Sequence, residues 1–148
     1  MKSLNTYIQE KLVINKSYKS YKYHPKTPEE LREIILDRYK KEGSGTKNNP
    51  IDFNDIDVSG MTTFYNENKL EGIFEKTNFE YIDISQWDVS NVENMRRIFF
   101  KCEKLESVGD LSKWDVSNVK DMRYMFANSA IINIPEWYDI YMHDKKEN

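Results

Sequence analysis

The sequence WDVSNV occupies residues Trp87–Val92 and recurs without change at Trp114–Val119, 27 residues later. In each copy a methionine, Met95 or Met122, follows three residues after the last valine, and a phenylalanine lies four residues further on. Chance does not produce a six-residue word and its flanking residues twice in a short chain. The word therefore indicates an internal repeat, which is the first property to establish because it decides the whole architecture.

Weaker copies lie on both sides of the two identical ones. One begins with DVSGM at Asp57 and reaches its phenylalanine at Phe74 after several extra residues, and another starts at Trp137 and then departs from the pattern. The chain thus holds about three units and a terminal variant. Three units are within the range in which stacked repeats bury a continuous core, so the sequence predicts a short solenoid.

Each unit is predicted to contain a strand, a turn and a helix. The β-branched and aromatic residues of Ile84–Ser90 and Leu111–Ser117 favour extended segments. Ser90 is placed to cap a following helix, with Glu93 completing a capping box, and Ser117 occupies the same position in the next unit. The apolar residues then recur at helical spacing, as in Val92, Met95, Ile98 and Phe99. Trp87 and Trp114 are expected in the core.

Residues 1–49 differ from the repeat region of residues 50–148. They carry eleven basic and six acidic residues, against eleven and nineteen in the remainder. The first dozen residues predict a short amphipathic helix, and a second helix is predicted from Thr27 as its N-cap, with Pro28 and Glu30 following. Gly43 is expected to end that helix.

The predicted fold is therefore α+β, a short leucine-rich-repeat-like solenoid of about three strand-turn-helix repeats capped by N-terminal helices. Trp137, Tyr138, Ile140 and Tyr141 are expected to close the other end. A chain of 148 residues is too short for two cores of normal depth, so both regions are expected to form one cooperative unit.

The pattern W-D-V-S-N-V-x-x-M-x-x-[MI]-F resembles the BspA-like leucine-rich-repeat family, whose repeat was first catalogued as a domain of unknown function in mycoplasma lipoproteins. The resemblance covers roughly residues 55–137. It implies a solenoid that binds proteins, often at a bacterial surface, and it implies no catalytic residues. The array here is short and no export signal precedes it, so a short, unexported bacterial or phage-encoded member is expected.

No enzymatic, cofactor or metal site can be assembled from the sequence. His24 and His143 lie near opposite ends of the chain, and Cys102 has no histidine beside it in sequence. Asp57, Asp88 and Asp115 recur in register, but their spacing matches no known calcium loop. They are expected to satisfy backbone groups at turns, together with the recurring asparagines.

Positions that vary between the units form the predicted protein-binding surface, since arginine and tyrosine are enriched at interaction hot spots. These residues are Tyr81, Asp83, Gln86, Arg96, Arg97, Lys113, Arg123 and Tyr124. The expected partner is another protein, and a narrower hypothesis is a phage-encoded inhibitor of a bacterial defence or regulatory complex. No signal peptide, anchor or membrane span is recognised, so a cytoplasmic location in the bacterial or phage-infected cell is expected.

Two alternatives remain open at this level. The first is a nucleic-acid-binding protein, since the segment from Lys16 to Lys26 interleaves lysines, which bind phosphates, with tyrosines, which stack on bases. Its candidate residues are Lys16, Tyr18, Lys19, Tyr21, Lys22, Tyr23 and Lys26. The same composition also suits a connector that packs against the second helix. The second alternative is a fragment of a surface adhesin.

Overall fold

The structure is a computed structural model that describes residues 3–6 and 20–147. Residues 4–6 are helical, and the rest of the predicted first helix lies outside the described residues. The remaining elements are α1 (Pro28–Glu42), β1 (Ile51–Asp52), β2 (Tyr65–Asn66), β3 (Glu71–Gly72), β4 (Ile82–Asp83) and α2 (Glu136–Glu147). The mixed α+β class predicted from the sequence is confirmed.

Helix α1 forms where the sequence predicts it. The Thr27 side chain accepts the Glu30 N–H at 3.1 Å, and the Gly43 N–H donates to the Tyr39 carbonyl at 2.8 Å. The Glu30 carboxylate reaches the Lys26 N–H, one residue before the N–H that a capping box would use. Leu31 and Ile35 on its inner face are fully buried.

The strands are short and pair in two ways. β1 and β4 are parallel, with Ile51 opposite Ile82 and Asp52 opposite Asp83. β2 and β3 form an antiparallel hairpin, with Tyr65 opposite Gly72. The parallel pair joins segments 31 residues apart, so it links equivalent positions in successive copies of the repeat. We number these copies by their sequence register as unit 1 (residues 53–83), unit 2 (residues 84–110) and unit 3 (residues 111–133).

The strand-turn-helix arrangement predicted within each unit is wrong. Residues 44–135 are all described and contain no helix, and neither predicted extended segment forms a strand. The Ser90 N–H and hydroxyl donate to Oδ1 of Asp88, at 3.1 and 2.6 Å, so Ser90 closes a turn instead of capping a helix. Glu93 pairs with Lys120 of the next unit at 2.7 Å, where the prediction had it completing a capping box.

Backbone hydrogen bonding between units explains why the helix does not form. The N–H groups of Arg97 and Phe99 donate to the carbonyls of Arg123 and Met125, at 3.0 and 2.9 Å, and therefore cannot serve an i to i−4 ladder. Arg97 and Lys101 also adopt positive φ, at 57° and 56°, which a right-handed helix excludes. The apolar residues at helical spacing instead fill the inside of a tightly turning chain.

Turns closed by side chains recur at matched positions of the units. Asp52, Asp83 and Asp110 each accept the backbone N–H two residues later, at 2.8 to 2.9 Å. Asp57, Asp88 and Asp115 do the same for a following serine. These local bonds offer the backbone an alternative to a helix, which is why aspartate and serine are favoured at turns.

An aromatic column forms the core along the units. The rings of Trp87 and Trp114 are stacked with centroids 6.5 Å apart, and Trp114 stacks on Trp137 at 6.2 Å. Each indole N–H donates to a backbone carbonyl of the preceding unit, which is Phe53 for Trp87 and Ile84 for Trp114. The prediction that Trp87 and Trp114 are core residues is confirmed, since they are 5% and 6% exposed.

Candidate binding groove beside the last repeat

The eight predicted protein-binding residues fall on separate rows of the units. Arg96 and Arg97 adjoin Arg123 and Tyr124, because the Arg97 N–H donates to the Arg123 carbonyl. Tyr81 and Asp83 lie instead on the row of β4, where Tyr81 is bridged to Ser107. Gln86 and Lys113 are exposed in the turns that precede Trp87 and Trp114. The structure therefore brings four of the eight together.

Two of these four residues are engaged inside the protein. Arg97 contacts Glu75 at 2.5 Å, donates to the Leu70 carbonyl and lies 4.5 Å from the centre of the Phe100 ring. The Arg96 guanidinium lies 5.2 Å from the centre of the Tyr65 ring, and both arginines are half-buried. These contacts join unit 2 to unit 1, so both side chains contribute to the packing of the units. Arg123 and Tyr124 are exposed.

The structure describes only part of the segment from Lys16 to Lys26 that the nucleic-acid hypothesis concerns. Lys16, Tyr18 and Lys19 lie outside the described residues. Tyr23 packs against the core with the guanidinium of Arg38 5.5 Å from its ring centre. Its carbonyl also accepts the Asp57 N–H at 2.9 Å. Tyr23 thus behaves as part of a connector between the N-terminal region and unit 1.

The remaining residues of that segment are placed more openly. Lys22 and Lys26 are exposed, and Tyr21 is half-buried with its ring edge-on to His24 at 6.2 Å. His24 in turn contacts Asp57 through Nδ1 at 3.3 Å. The two exposed lysines are the described residues of this segment that a polyanion could reach.

The recurring aspartates and asparagines serve the backbone, as expected. Asn91 and Asn118 donate to the carbonyls of Ser59 and Ser90 in the preceding unit, at 2.8 and 2.6 Å. The aspartates serve their own turns, and the hydroxyl and N–H of Ser117 lower the pKa of Asp115. Within the described residues no group of three His, Cys, Asp or Glu side chains could hold a metal ion.

Cys102 is a packing residue, as predicted. Its side chain is fully buried, and its thiol donates to the Phe74 carbonyl at 3.0 Å. Burial raises the pKa of the Cys102 thiol, which suppresses the thiolate that nucleophilic chemistry would need.

A groove of about 990 Å³ separates unit 3 from helix α2, and we call it the end groove. Its apolar residues include Phe126, Ile131 and Tyr138, with Tyr124 and Met142 at exposed positions. The cations at its border are Lys120, Arg123 and Lys145, and the acids are Asp121 and Asp139. Arg123 and Asp121 neutralise each other at 2.8 Å.

Helix α2 packs on unit 3 beside the tryptophan column and is hydrogen-bonded to it. The Trp137 indole donates to the Leu111 carbonyl at 2.8 Å, and the Tyr141 hydroxyl accepts the Met122 N–H at 3.0 Å. Tyr138 meets Phe126 edge-on with ring centres 4.9 Å apart, and burial raises the pKa of its phenol. Trp137, Tyr138 and Tyr141 are partly buried against the core, whereas Ile140 is 55% exposed.

Of the residues that line the end groove, sequence reasoning named Arg123 and Tyr124 as binding residues and placed Tyr138 and Tyr141 in the closing segment. Ile131 and Met142 were missed because they come from the last unit and from α2, whose relative placement no local pattern predicts. The available signal was the departure from the repeat after Trp137, which indicates a different element at that end.

These features define a protein of mixed α+β class in which segments that recur in the sequence are joined by backbone hydrogen bonds. The chain belongs to the family described as "Mycoplasma protein of unknown function, DUF285", whose model matches residues 46–143. This finding confirms the BspA-like repeat family resemblance seen in the two WDVSNV words. No curated protein and no solved structure matches the chain. Among residues 3–6 and 20–147, no helix is both long enough and apolar enough to cross a membrane.

Proposed function

We propose that this protein is a non-catalytic interaction module that binds another protein in the end groove. The observation that carries the proposal is the groove itself, an open concavity of about 990 Å³ with apolar side chains inside and charged residues of both signs at its border. Membership of a repeat family is consistent with this role, since repeat arrays expose extended binding surfaces.

The exposed residues of the groove have the chemistry of a protein-binding site. Tyr124 is 56% exposed and Met142 is 37% exposed, although both are large and apolar over most of their surface. Tyrosine and arginine are enriched among residues that dominate binding energy, and flexible methionines adapt to varied partners. A cluster of exposed apolar side chains rimmed by polar ones is typical of an interaction site.

A narrower proposal concerns the partner and the setting. A short cytoplasmic member of the family, encoded by a bacterium or a phage, would act by occupying a surface of its partner, since the proposed module is non-catalytic. Inhibition of a defence or regulatory complex is one such action. This narrower proposal requires that the captured protein be a component of such a defence or regulatory complex.

The test compares two substitutions on the same helix. Met142→Ser removes an apolar side chain from the end groove, whereas Ile140→Ser removes an exposed one that does not line it. Tagged wild type and both variants are incubated with nuclease-treated lysate of the organism that encodes the protein. We expect one stoichiometric protein partner, retained by Ile140→Ser and weakened at least tenfold by Met142→Ser.

Three results would contradict the proposal. One is that no protein is captured, and another is that Met142→Ser binds as well as Ile140→Ser. The third is capture that depends on nucleic acid, which would favour the segment from Lys16 to Lys26. Melting temperatures measured on both variants show whether either substitution alters folding.

A further inference from the structure

The units are joined by a row of backbone donors that repeats from one unit to the next. In unit 2 the N–H groups of Met95, Arg97, Phe99 and Lys101 donate to carbonyls of unit 3 at 2.7 to 3.0 Å. In unit 1, Phe64 donates in the same way to unit 2 at 2.8 Å. Along this row, each N–H donor therefore faces the following unit, whose carbonyls accept its hydrogen bond.

The matching donors of unit 3 have no further unit to meet. Met122 corresponds to Met95, and its N–H is taken by the Tyr141 hydroxyl. The next three are the N–H groups of Tyr124, Phe126 and Asn128, and no acceptor for them lies within the described residues 3–6 and 20–147. Tyr124 and Asn128 are exposed, so water can reach this row, and carbonyls of a partner can displace that water.

The backbone of this open row is already in the conformation that binds carbonyls in unit 2. Tyr124 and Asn128 both have φ of 57°, and their counterparts Arg97 and Lys101 have φ of 57° and 56°. Tyr124 and Phe126 also line the end groove. Two of the three donor residues therefore lie at the apolar groove, and Asn128 continues the row beyond it.

The opposite end of the stack is closed, which bears on what could occupy the open row. The Arg32 guanidinium on α1 donates to the carbonyls of Gly72, Ile73 and Glu75, at 3.0 to 3.1 Å. These carbonyls belong to unit 1, so α1 covers the acceptor side of the stack. A second copy of this chain cannot offer its unit 1 to the open row of the first without displacing α1.

We propose that the end groove receives an extended segment of a partner protein, whose backbone carbonyls accept hydrogen bonds from Tyr124, Phe126 and Asn128. This inference rests on the proposed function and specifies how the partner binds. The segment takes the place of a next repeat unit, as a peptide does when it adds to the edge of a sheet. An apolar side chain of the partner segment contacts Phe126 and Tyr138 of this protein.

The charges at the groove border are balanced. Lys120 pairs with Glu93 at 2.7 Å and Arg123 pairs with Asp121 at 2.8 Å, and the two other charged residues, Lys145 and Asp139, have opposite signs. The border therefore favours neither an acidic nor a basic segment. The partner segment is defined by its extended backbone, whose carbonyls face the donors, and by its apolar side chain.

The first experiment examines the open row in the free protein. Amide hydrogen exchange is followed by NMR for Tyr124, Phe126 and Asn128 and for their counterparts Arg97 and Phe99. We expect the unit 3 amides to exchange at least tenfold faster, because no protein acceptor protects them. Equal protection in the two units would overturn the inference, since the row would then not be open.

The second experiment fills the row with a defined probe. The probe is the acetylated and amidated peptide DMRYMFAN, which copies residues 121–128, the segment whose carbonyls serve unit 2. At millimolar concentration we expect shifted amide signals and at least tenfold slower exchange at Tyr124, Phe126 and Asn128. A scrambled peptide of the same composition is the control. Absence of these changes, or equal changes with the scrambled peptide, would overturn the inference.

Two further outcomes separate this inference from the function on which it rests. If a partner is captured but leaves the three amides unprotected, the binding role stands and this mode of binding fails. If the protein alone forms a concentration-dependent dimer that protects the same amides, the occupant is a second copy and the inference fails. If the probe protects the amides but no protein is captured from lysate, the donor row is competent and the proposed function fails.

Discussion

Replacing Trp114 by phenylalanine tests whether the aromatic column holds the units together. Trp114 stacks between Trp87 and Trp137 and is 6% exposed, and its indole N–H donates to the carbonyl of Ile84. Phenylalanine keeps a ring but removes the donor, and the Ile84 carbonyl keeps only the bond that it accepts from the Trp87 N–H at 3.1 Å. The lost bond costs about 0.5–1.5 kcal/mol. The smaller ring adds roughly 1–2 kcal/mol through lost burial.

The matched variant is Trp137→Phe at the end of the column. Trp137 donates an equivalent bond to Leu111, but it is half-buried and stacks on one tryptophan instead of two. Water can replace its bond and less area is lost. We therefore expect the unfolding free energy to fall by roughly 2–3 kcal/mol for Trp114→Phe and by about 1 kcal/mol for Trp137→Phe.

Urea unfolding followed by far-ultraviolet circular dichroism measures both values. The double variant Trp114→Phe/Trp137→Phe completes a double-mutant cycle, which gives the coupling energy between the two side chains. We expect a coupling energy of about 0.5–1.5 kcal/mol because the two rings are stacked. The reasoning would be refuted if Trp137→Phe lowered the unfolding free energy as much as Trp114→Phe, since burial between two stacked tryptophans would then add nothing to stability. Additive effects of the two substitutions would refute the stacking contribution alone.

Three further substitutions or conditions probe the turns and the core. Asn118→Asp should lower stability by about 1–2 kcal/mol in urea unfolding, because a carboxylate cannot donate to the Ser90 carbonyl. Cys102 should resist a thiol reagent in native buffer and react after unfolding, since burial raises its pKa. Asp115 should titrate below the ordinary aspartate value of about 3.9 in a carboxyl NMR titration. Because its pKa is depressed in the folded state, its stabilising contribution is present above pH 3.9 and is lost as pH falls through the folded value. Ser117→Ala should return that pKa toward the ordinary value.

The N-terminal helix and the register of the repeat could be predicted because both depend on local chemistry. Thr27, Pro28 and Gly43 begin or end the helix through contacts with residues at most a few positions away in the sequence. These roles therefore do not depend on the tertiary structure. The burial of Trp87 and Trp114 followed from recurrence at a fixed spacing, which requires the same environment in each unit. The turn-forming role of the aspartates followed from their position beside serine and asparagine.

The helix predicted after Ser90 failed because an apolar period reports which side chains are buried and not where the backbone N–H groups go. In this segment they donate to residues 26 positions further along the chain, such as Arg123 for Arg97. Arg97 and Lys101 adopt positive φ although neither is a glycine, so the sequence gives no sign of this conformation. A short segment whose apolar spacing fits two conformations takes the one that neighbouring units can hydrogen-bond.

The sequence by itself determined the family, the repeat register, the helix α1 and the residues that fill the core, since each is written in local composition or in recurrence. The tertiary structure alone decided the conformation of each unit, the placement of Arg96 and Arg97 inside the stack, and the end groove. The groove exists because α2 packs on unit 3 along the tryptophan column and leaves the donors of Tyr124, Phe126 and Asn128 uncovered. Contacts between elements distant in sequence create such a site, and no local pattern encodes them.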